Sequence, residues 1–388
     1  MKLLIKVFNP PVLLLLLLAA ITKPAAAALP SPTELTREFV RTTNKDYPLT
    51  ADGLVELTNR YGEIDIQPWT ENRVSLRIRV VVQARSEEAA NATFDRINIT
   101  TSGSSTRVVA ETSIGDGSSG GIMDRIVGWF DGSSSSNEFK IYYEVRMPRS
   151  ANLKATARYC DVRSGDLGGA VEADVKYGDL RLGDVGGAAT LSVAYGKIVA
   201  ANLRRTGRVN SRYSNVSITS VGDLDLDLRY SEFKIGRAGN VTLDSRYDDG
   251  SFGVLNTLRV DAGYGDFKID ELQELTANSN YTEYNIGQLA RILDVDTDYG
   301  DVTVSRLLKG FTSVKVQSSY SQIHIRMEDG SNYDLDVETS YADVETPSGF
   351  NPRVQIEKGS DHTVRGVMGK GGGRIVARLR YGDFTLER

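Results

Sequence analysis

The chain has 388 residues, 25% of them charged and 40% hydrophobic, with a net charge of −5. That is a globular composition, long enough for one large domain or two ordinary ones, and it lacks the basic excess that nucleic-acid binding demands. A single cysteine, Cys160, excludes an internal disulfide, so stability must come from packing and hydrogen bonding.

The chain opens on Lys2 and Lys6, then an apolar run from Val12 to Ala20, then the small residues Ala25 to Ala28. This is the layout of a secretory signal peptide, and the run is short of the ~20 residues that span a bilayer. Residues 1–28 are therefore expected to direct export and be removed, leaving no transmembrane segment. Residues 40–69 read as a first β-coil ending in "RYGEIDI" around Tyr61.

Residues 70–150 read as an insertion. "RVSLRIRVVVQAR" predicts a strand, and "SEEAANATFDRI" a helix with Ser86 as N-cap and Glu87 and Glu88 in its first turn. Two further strands follow, then two Ser/Gly-rich loop stretches beginning at Gly115 and Asp131. Between them, Ile122, Met123, Ile126, Val127, Trp129 and Phe130 form one apolar face of a short helix. That face is a candidate contact for a partner or a membrane surface; the competing reading is a loop folded back onto the repeats. The strand and helix elements would cap the open end of the repeats that follow.

Residues 151–388 are repetitive. Tyr159, Tyr177, Tyr195, Tyr213, Tyr230, Tyr247, Tyr264, Tyr281, Tyr299, Tyr320 and Tyr341 recur 17 to 21 residues apart. With Tyr61 and Tyr381, thirteen of the 18 tyrosines sit in one phrase, typified by "KYGDLRL". Before each Tyr the apolar positions have period two, as at Leu224, Leu226 and Leu228; after it the parity shifts, as at Phe233 and Ile235. Each unit is thus two short strands around a corner, with Gly or Ser after the Tyr to make the bend. Such a unit cannot bury its apolar face alone, but stacked copies can.

The expected fold is all-β: a parallel β-solenoid of about 14 short two-strand coils, with a small α+β insertion near the N-terminus. At the strand spacing of ~4.8 Å the rod would be roughly 65 Å long. "RVQIEKGSDHTV" fills the gap between Tyr341 and Tyr381 as a degenerate coil, with Ser360 in the Tyr place. By parity the Tyr is the last inward residue before each corner, stacked on its copies, and the small residues two places earlier make room for its ring.

Two charged rows accompany the Tyr. The second residue after it is acidic in ten units, including Asp179, Glu232, Asp266 and Asp301. The residue before it is basic in seven, including Arg212 and Arg229. These six residues are the candidate ligand-facing row, for a cation or a sugar; the structural reading is a corner device in which the basic row offsets the repulsion of the acids. No His/Cys cluster has metal-ligand spacing, "GKGGG" lacks the ending of a phosphate loop, and no catalytic set or cofactor motif emerges.

The sequence of a signal peptide, a first "G-x-I-x-I" coil, a strand–helix–strand insert, a "Y-x-V-x-M-P" segment at Tyr143 to Pro148 and G-D-containing strand repeats resembles the exported bacterial putative-adhesin family. The resemblance runs from about Val40 to the end. It implies a non-enzymatic, exported β-solenoid that binds or scaffolds at the cell envelope, in the periplasm, on the outer surface or secreted, with an envelope glycan or protein as partner. The alternative is a carbohydrate-active β-helix enzyme, a polysaccharide lyase or hydrolase. The regular Tyr before each corner departs from the family, which more often places a small or polar residue there.

Overall fold

The computed structural model describes residues 36–115 and 138–388. The expected signal peptide and the apolar face at Ile122, Met123, Ile126, Trp129 and Phe130 lie outside the described residues. Within them the fold is nearly all-β, one large and mostly parallel sheet with a single helix.

The repeats pair with their successors residue for residue. On the arm before the Tyr, Leu153, Val171, Ala189, Gly207, Leu224, Val241 and Leu258 lie in parallel register, each beside its equivalent in the next repeat. On the arm after it, Leu180, Ile198, Val216 and Phe233 do the same. A third column closes each repeat: Leu167, Val185, Leu203 and Val221 are joined by bridges or strand pairing. All these residues except Gly207 are apolar and buried, and with the parallel columns beside them, such as Leu226, Leu228 and Ile235, they form the core of the stack. Period-two alternation supplies each column, because only every second side chain of a strand faces inward.

The first repeat, Leu54–Trp69, pairs in parallel with Asn152–Ser164 along both arms. The residues between them add strands on its other side. Arg107–Ile114 pairs with its first arm and Glu138–Pro148 with its second. Antiparallel strands finish both edges: Ile97–Gly103 on the former, then Arg73–Ala84 and Arg37–Pro48 on the latter. The predicted helix is Glu87–Phe94, and the Ser86 side chain accepts from the Ala89 N–H at its N-terminus. Switching to antiparallel pairing ends a parallel stack that would otherwise offer its edge to another chain.

The C-terminal end departs from the expectation in two ways. Residues 352–368 make no degenerate coil. Pro352–Lys358 and Asp361–Met368 form an antiparallel hairpin with Gly359 (φ 64°) and Ser360 at its tip, and the second of these strands pairs antiparallel with Tyr333–Ser340. The final repeat is also out of sequence order. Gly373–Arg380 lies between Ser313–Ser319 and Tyr333–Ser340, parallel to both, and Phe384–Glu387 lies between Ile323–Met327 and Val344–Glu345. A chain that ended on its outermost repeat would leave that repeat with a bare edge. Tucking the last residues inward pairs them on both sides, and the hairpin covers the strand left outside.

Deleting residues 373–388 should therefore open a gap within the stack and bare the facing edges of four strands. The expected result is a lower melting temperature and the appearance of oligomers, read by thermal unfolding and size-exclusion chromatography. A monomer with an unchanged transition would contradict the insertion.

Candidate functional site

All thirteen repeat tyrosines have a left-handed backbone, with φ between 50° and 62°, and they are the only non-glycine residues with positive φ among the described residues. Such a conformation costs an L-residue about 1–2 kcal/mol. Its consequence is directional. Alternation would place the Tyr side chain inside; the left-handed turn carries the Cα–Cβ bond to the outside. The rings are therefore not buried: from Tyr177 onward they are 37–59% exposed. This corrects the inward placement that parity suggested, because parity assumes a strand backbone at the residue where the strand breaks.

The stacking itself is present. Twelve consecutive ring pairs join Tyr61 to Tyr341, with centroids 4.6–5.4 Å apart and planes within 14° of parallel. The row ends Tyr320–Tyr381–Tyr341, following the inserted last repeat. Phe139 closes the other end edge-on against Tyr61, at 5.5 Å. Aromatic pairs contribute about 0.5–1.5 kcal/mol beyond area burial, so the stack offsets much of the backbone strain. Each inner ring has both faces covered by its neighbours and shows solvent its edge.

The space inside the corner goes to the residue after the Tyr, and the small residues two places before the Tyr make room for that. Ser214, Ser231 and Asp248 turn inward and are buried. Ser214 Oγ donates to the Arg212 carbonyl (2.7 Å) and accepts from the Gly196 N–H (3.2 Å), closing the bend and reaching to the repeat below. Ser231 Oγ likewise donates to the Arg229 carbonyl at 3.0 Å. Asp248 accepts from the Ser231 N–H, the Ser245 hydroxyl and the Arg246 N–H, each at 2.7 Å. Burial raises its carboxyl above the ordinary carboxylate range despite these bonds. Where glycine takes this place there is no room for a side chain: a Cβ on Gly196, Gly300 or Gly382 would run into the carbonyl oxygen of Gly178, Thr282 or Ser321.

The two charged rows project on opposite sides of the Tyr row. The acids are tied to the backbone of the neighbouring repeat. Asp161 Oδ1 accepts the N–H of Asp179 (2.8 Å), Asp249 that of Asp266 (2.9 Å), Asp301 that of Gln322 (2.7 Å) and Asp383 that of Asp343 (2.9 Å). Asp179 also meets Arg181 at 2.7 Å, and Glu232 accepts from the Asn215 side chain at 3.2 Å. Hydrogen bonds to charged groups contribute about 1.5–3 kcal/mol, against ~1 kcal/mol of repulsion between neighbouring charges in water. Four of the ten acids are thus held by an amide N–H of a neighbouring repeat, and Glu63, Asp179, Glu232 and Glu283 by side chains.

The basic row does not offset them. Arg158, Arg229 and Arg246 pair instead with Asp174, Asp244 and Asp261, at 2.7–3.1 Å. Each of those acids lies three places before the next Tyr, on the same outward face as the arginine, whereas the corner sends the other acids away on the following arm. Arg229 also meets Asp227 at 3.0 Å, and Arg212 is exposed, its carbonyl accepting from the Tyr195 N–H. The Lys176 ammonium and the Arg380 guanidinium come within 5.4 and 5.1 Å of the ring centroids of Tyr177 and Tyr381. Toward the C-terminal end, Tyr320, Tyr341 and Tyr381 with Asp301 and Asp383 line a hollow of about 370 Å³ between the Tyr row and the acid row.

Groups with other potential chemistry are engaged structurally. Cys160 is buried, with Asn59 Nδ2 3.4 Å from its sulfur, and burial pushes the thiol up to about 12, so it is a poor nucleophile and cannot reach another chain. His324 Nε2 and Arg326 meet the same oxygen of Glu387, at 3.0 and 2.6 Å. Among the described residues no group of three His, Cys, Asp or Glu is placed to hold a metal ion, and no helix is long and apolar enough to cross a membrane.

No family model and no curated protein matches the sequence. Among solved structures, a putative cell adhesion protein from Clostridium sporogenes is similar over 91% of this chain and 99% of its own, at 9% identity and a TM-score of 0.19. A putative adhesin from Parabacteroides distasonis is similar over 74% of this chain and 94% of its own, at 12% identity and a TM-score of 0.24.

Tyr230→Ala removes two stacking contacts but keeps a Cβ in the left-handed position, and should cost about 1–3 kcal/mol. Tyr230→Gly should cost about 1 kcal/mol less than Ala, the reverse of the usual order in a strand; urea unfolding distinguishes the two orders. For Asp248, a raised folded pKa means that stability is lost as pH climbs from about 4 through the shifted value. Asp248→Ser, which installs the residue of the neighbouring corners, should lack that component. The melting temperature of the parent relative to the variant should be higher at pH 4 than at pH 7.

Proposed function

We propose that this chain is a non-enzymatic, adhesin-like β-solenoid that binds or scaffolds at a bacterial cell envelope, and that the tyrosine row with its flanking acids is its contact surface. One observation carries the reading: the row is long, exposed and already ordered. With ~200 Å² per tyrosine and about half of it exposed from Tyr177 onward, eleven rings present on the order of 1,100 Å² in one stripe, against the ~300–600 Å² of the largest patch on a typical monomer. Stacked rings have little rotamer freedom left to lose on binding, which removes part of the usual entropic cost.

The covered ring faces bear on the ligand. A sugar stacking flat on an aromatic ring needs a free face, and the inner tyrosines offer none. What they offer is a regular line of ring edges and phenol oxygens beside carboxylates. That suits a long partner making many weak polar contacts, an envelope glycan or an extended protein, with affinity built by repetition along the row. The apolar run after Lys2 and Lys6 supports export. The carboxylates favour binding over glycosidic chemistry, which uses a few carboxyl groups gathered about one bond; here they form a regular row bonded to backbone.

Purified protein should be retained by bacterial envelope preparations or by an insoluble polysaccharide. The triple variant Tyr230→Phe, Tyr247→Phe, Tyr264→Phe keeps the stack and removes three hydroxyls, and should bind at least about tenfold more weakly at ~0.5–1.5 kcal/mol per hydrogen bond. Retention of neither form would overturn the binding role. Reproducible release of reducing or unsaturated ends, abolished by mutating one or two carboxylates, would overturn the non-enzymatic one.

A further inference from the structure

The tyrosine row places phenols in continuous contact. Neighbouring centroids are about 5 Å apart, the planes are near parallel, and one edge of each ring faces solvent. An isolated surface tyrosine that loses an electron meets another phenol only by collision with a second molecule. Here the next phenol is already in place. We propose that the row is an oxidative modification site: in the presence of a haem peroxidase and hydrogen peroxide, ladder neighbours couple to dityrosine within one molecule.

Each of two phenols gives one electron to the oxidised haem and one proton to water. A phenoxyl radical can take an electron and a proton from the next ring, so the radical moves along the row with no net change. When two radicals become neighbours, a carbon–carbon bond forms between ring carbons ortho to oxygen, and the two ortho hydrogens shift to the oxygens as aromaticity returns. In sum, two phenols and one hydrogen peroxide give one biphenol and two waters. Each such bond joins two stacked repeats covalently, a staple in a chain whose single cysteine can form no internal disulfide.

Tyr381 stacks on both Tyr320 and Tyr341, at 4.8 and 4.9 Å, so those two are not neighbours although they are closest in sequence. The full chain is oxidised in dilute solution by a haem peroxidase with limiting peroxide, and the monomer is isolated, digested and mapped by mass spectrometry. The expected result is a loss of two hydrogens per bond, with Tyr381 joined to Tyr320 or Tyr341 and no Tyr320–Tyr341 product. Buried Tyr143, Tyr284 and Tyr333 should be unmodified. In urea the pattern should be lost. Tyr381→Phe, which preserves the stack, should abolish every cross-link of Tyr341 while those of the central repeats persist. A monomer without dityrosine, coupling only between molecules, or Tyr341 cross-linked within the Tyr381→Phe monomer would overturn the proposal. None of these outcomes depends on whether the surface binds an envelope ligand.

Discussion

The structure depends on a repeated local conflict. Every corner requires a backbone turn that L-residues resist, and every corner places a tyrosine in it. Glycine or asparagine would enter that conformation at lower cost. Tyrosine is accommodated because the turn throws its ring outward onto the rings above and below. Strain at one residue and stacking between residues thus act together, and neither makes sense in a single repeat. The arrangement is cooperative along the stack, since each ring is held by two others.

The same turn organises the rest of the corner. Once the ring has left, the interior is small, and Ser, Gly or a buried Asp occupies it. Ser214 and Asp248 accept the backbone N–H groups of Gly196 and Ser231 where the strand breaks. Outside, the turn separates the residue before the Tyr from the second residue after it. Arginines then find acids on their own arm, and the corner carboxylates find amide N–H groups, as at Asp161, Asp249, Asp301 and Asp383, or side chains of the following arm, as at Asp179 and Glu232. What reads along the chain as one alternating charged motif is two independent systems in space.

Much of the architecture was legible in the residues. The 17- to 21-residue phrase, the period-two columns and the N-cap at Ser86 are local or strictly periodic signals, and the structure shows the strands, the parallel register and the helix they imply. The stacking of the tyrosines was legible too, since in-register copies of one residue must adjoin. The side on which they stack was misread. The small residues at positions such as Ser211 and Ser245 look like space for a ring, and only the sign of φ reveals that they make space for the side chain after it.

Order and direction belong to the tertiary structure. The sequence by itself determined that thirteen copies of one corner would stack, because units of 17 to 21 residues are too short for propeller blades and bury their apolar side chains only against copies of themselves. It could not place the copy at Tyr381 between those at Tyr320 and Tyr341, nor turn residues 352–368 into an antiparallel hairpin. Those outcomes depend on which strand edges remain open once the other repeats have paired. Nor could it put the rings outside: a left-handed residue is disfavoured locally and persists only because stacking, a contact between distant residues, makes up the difference.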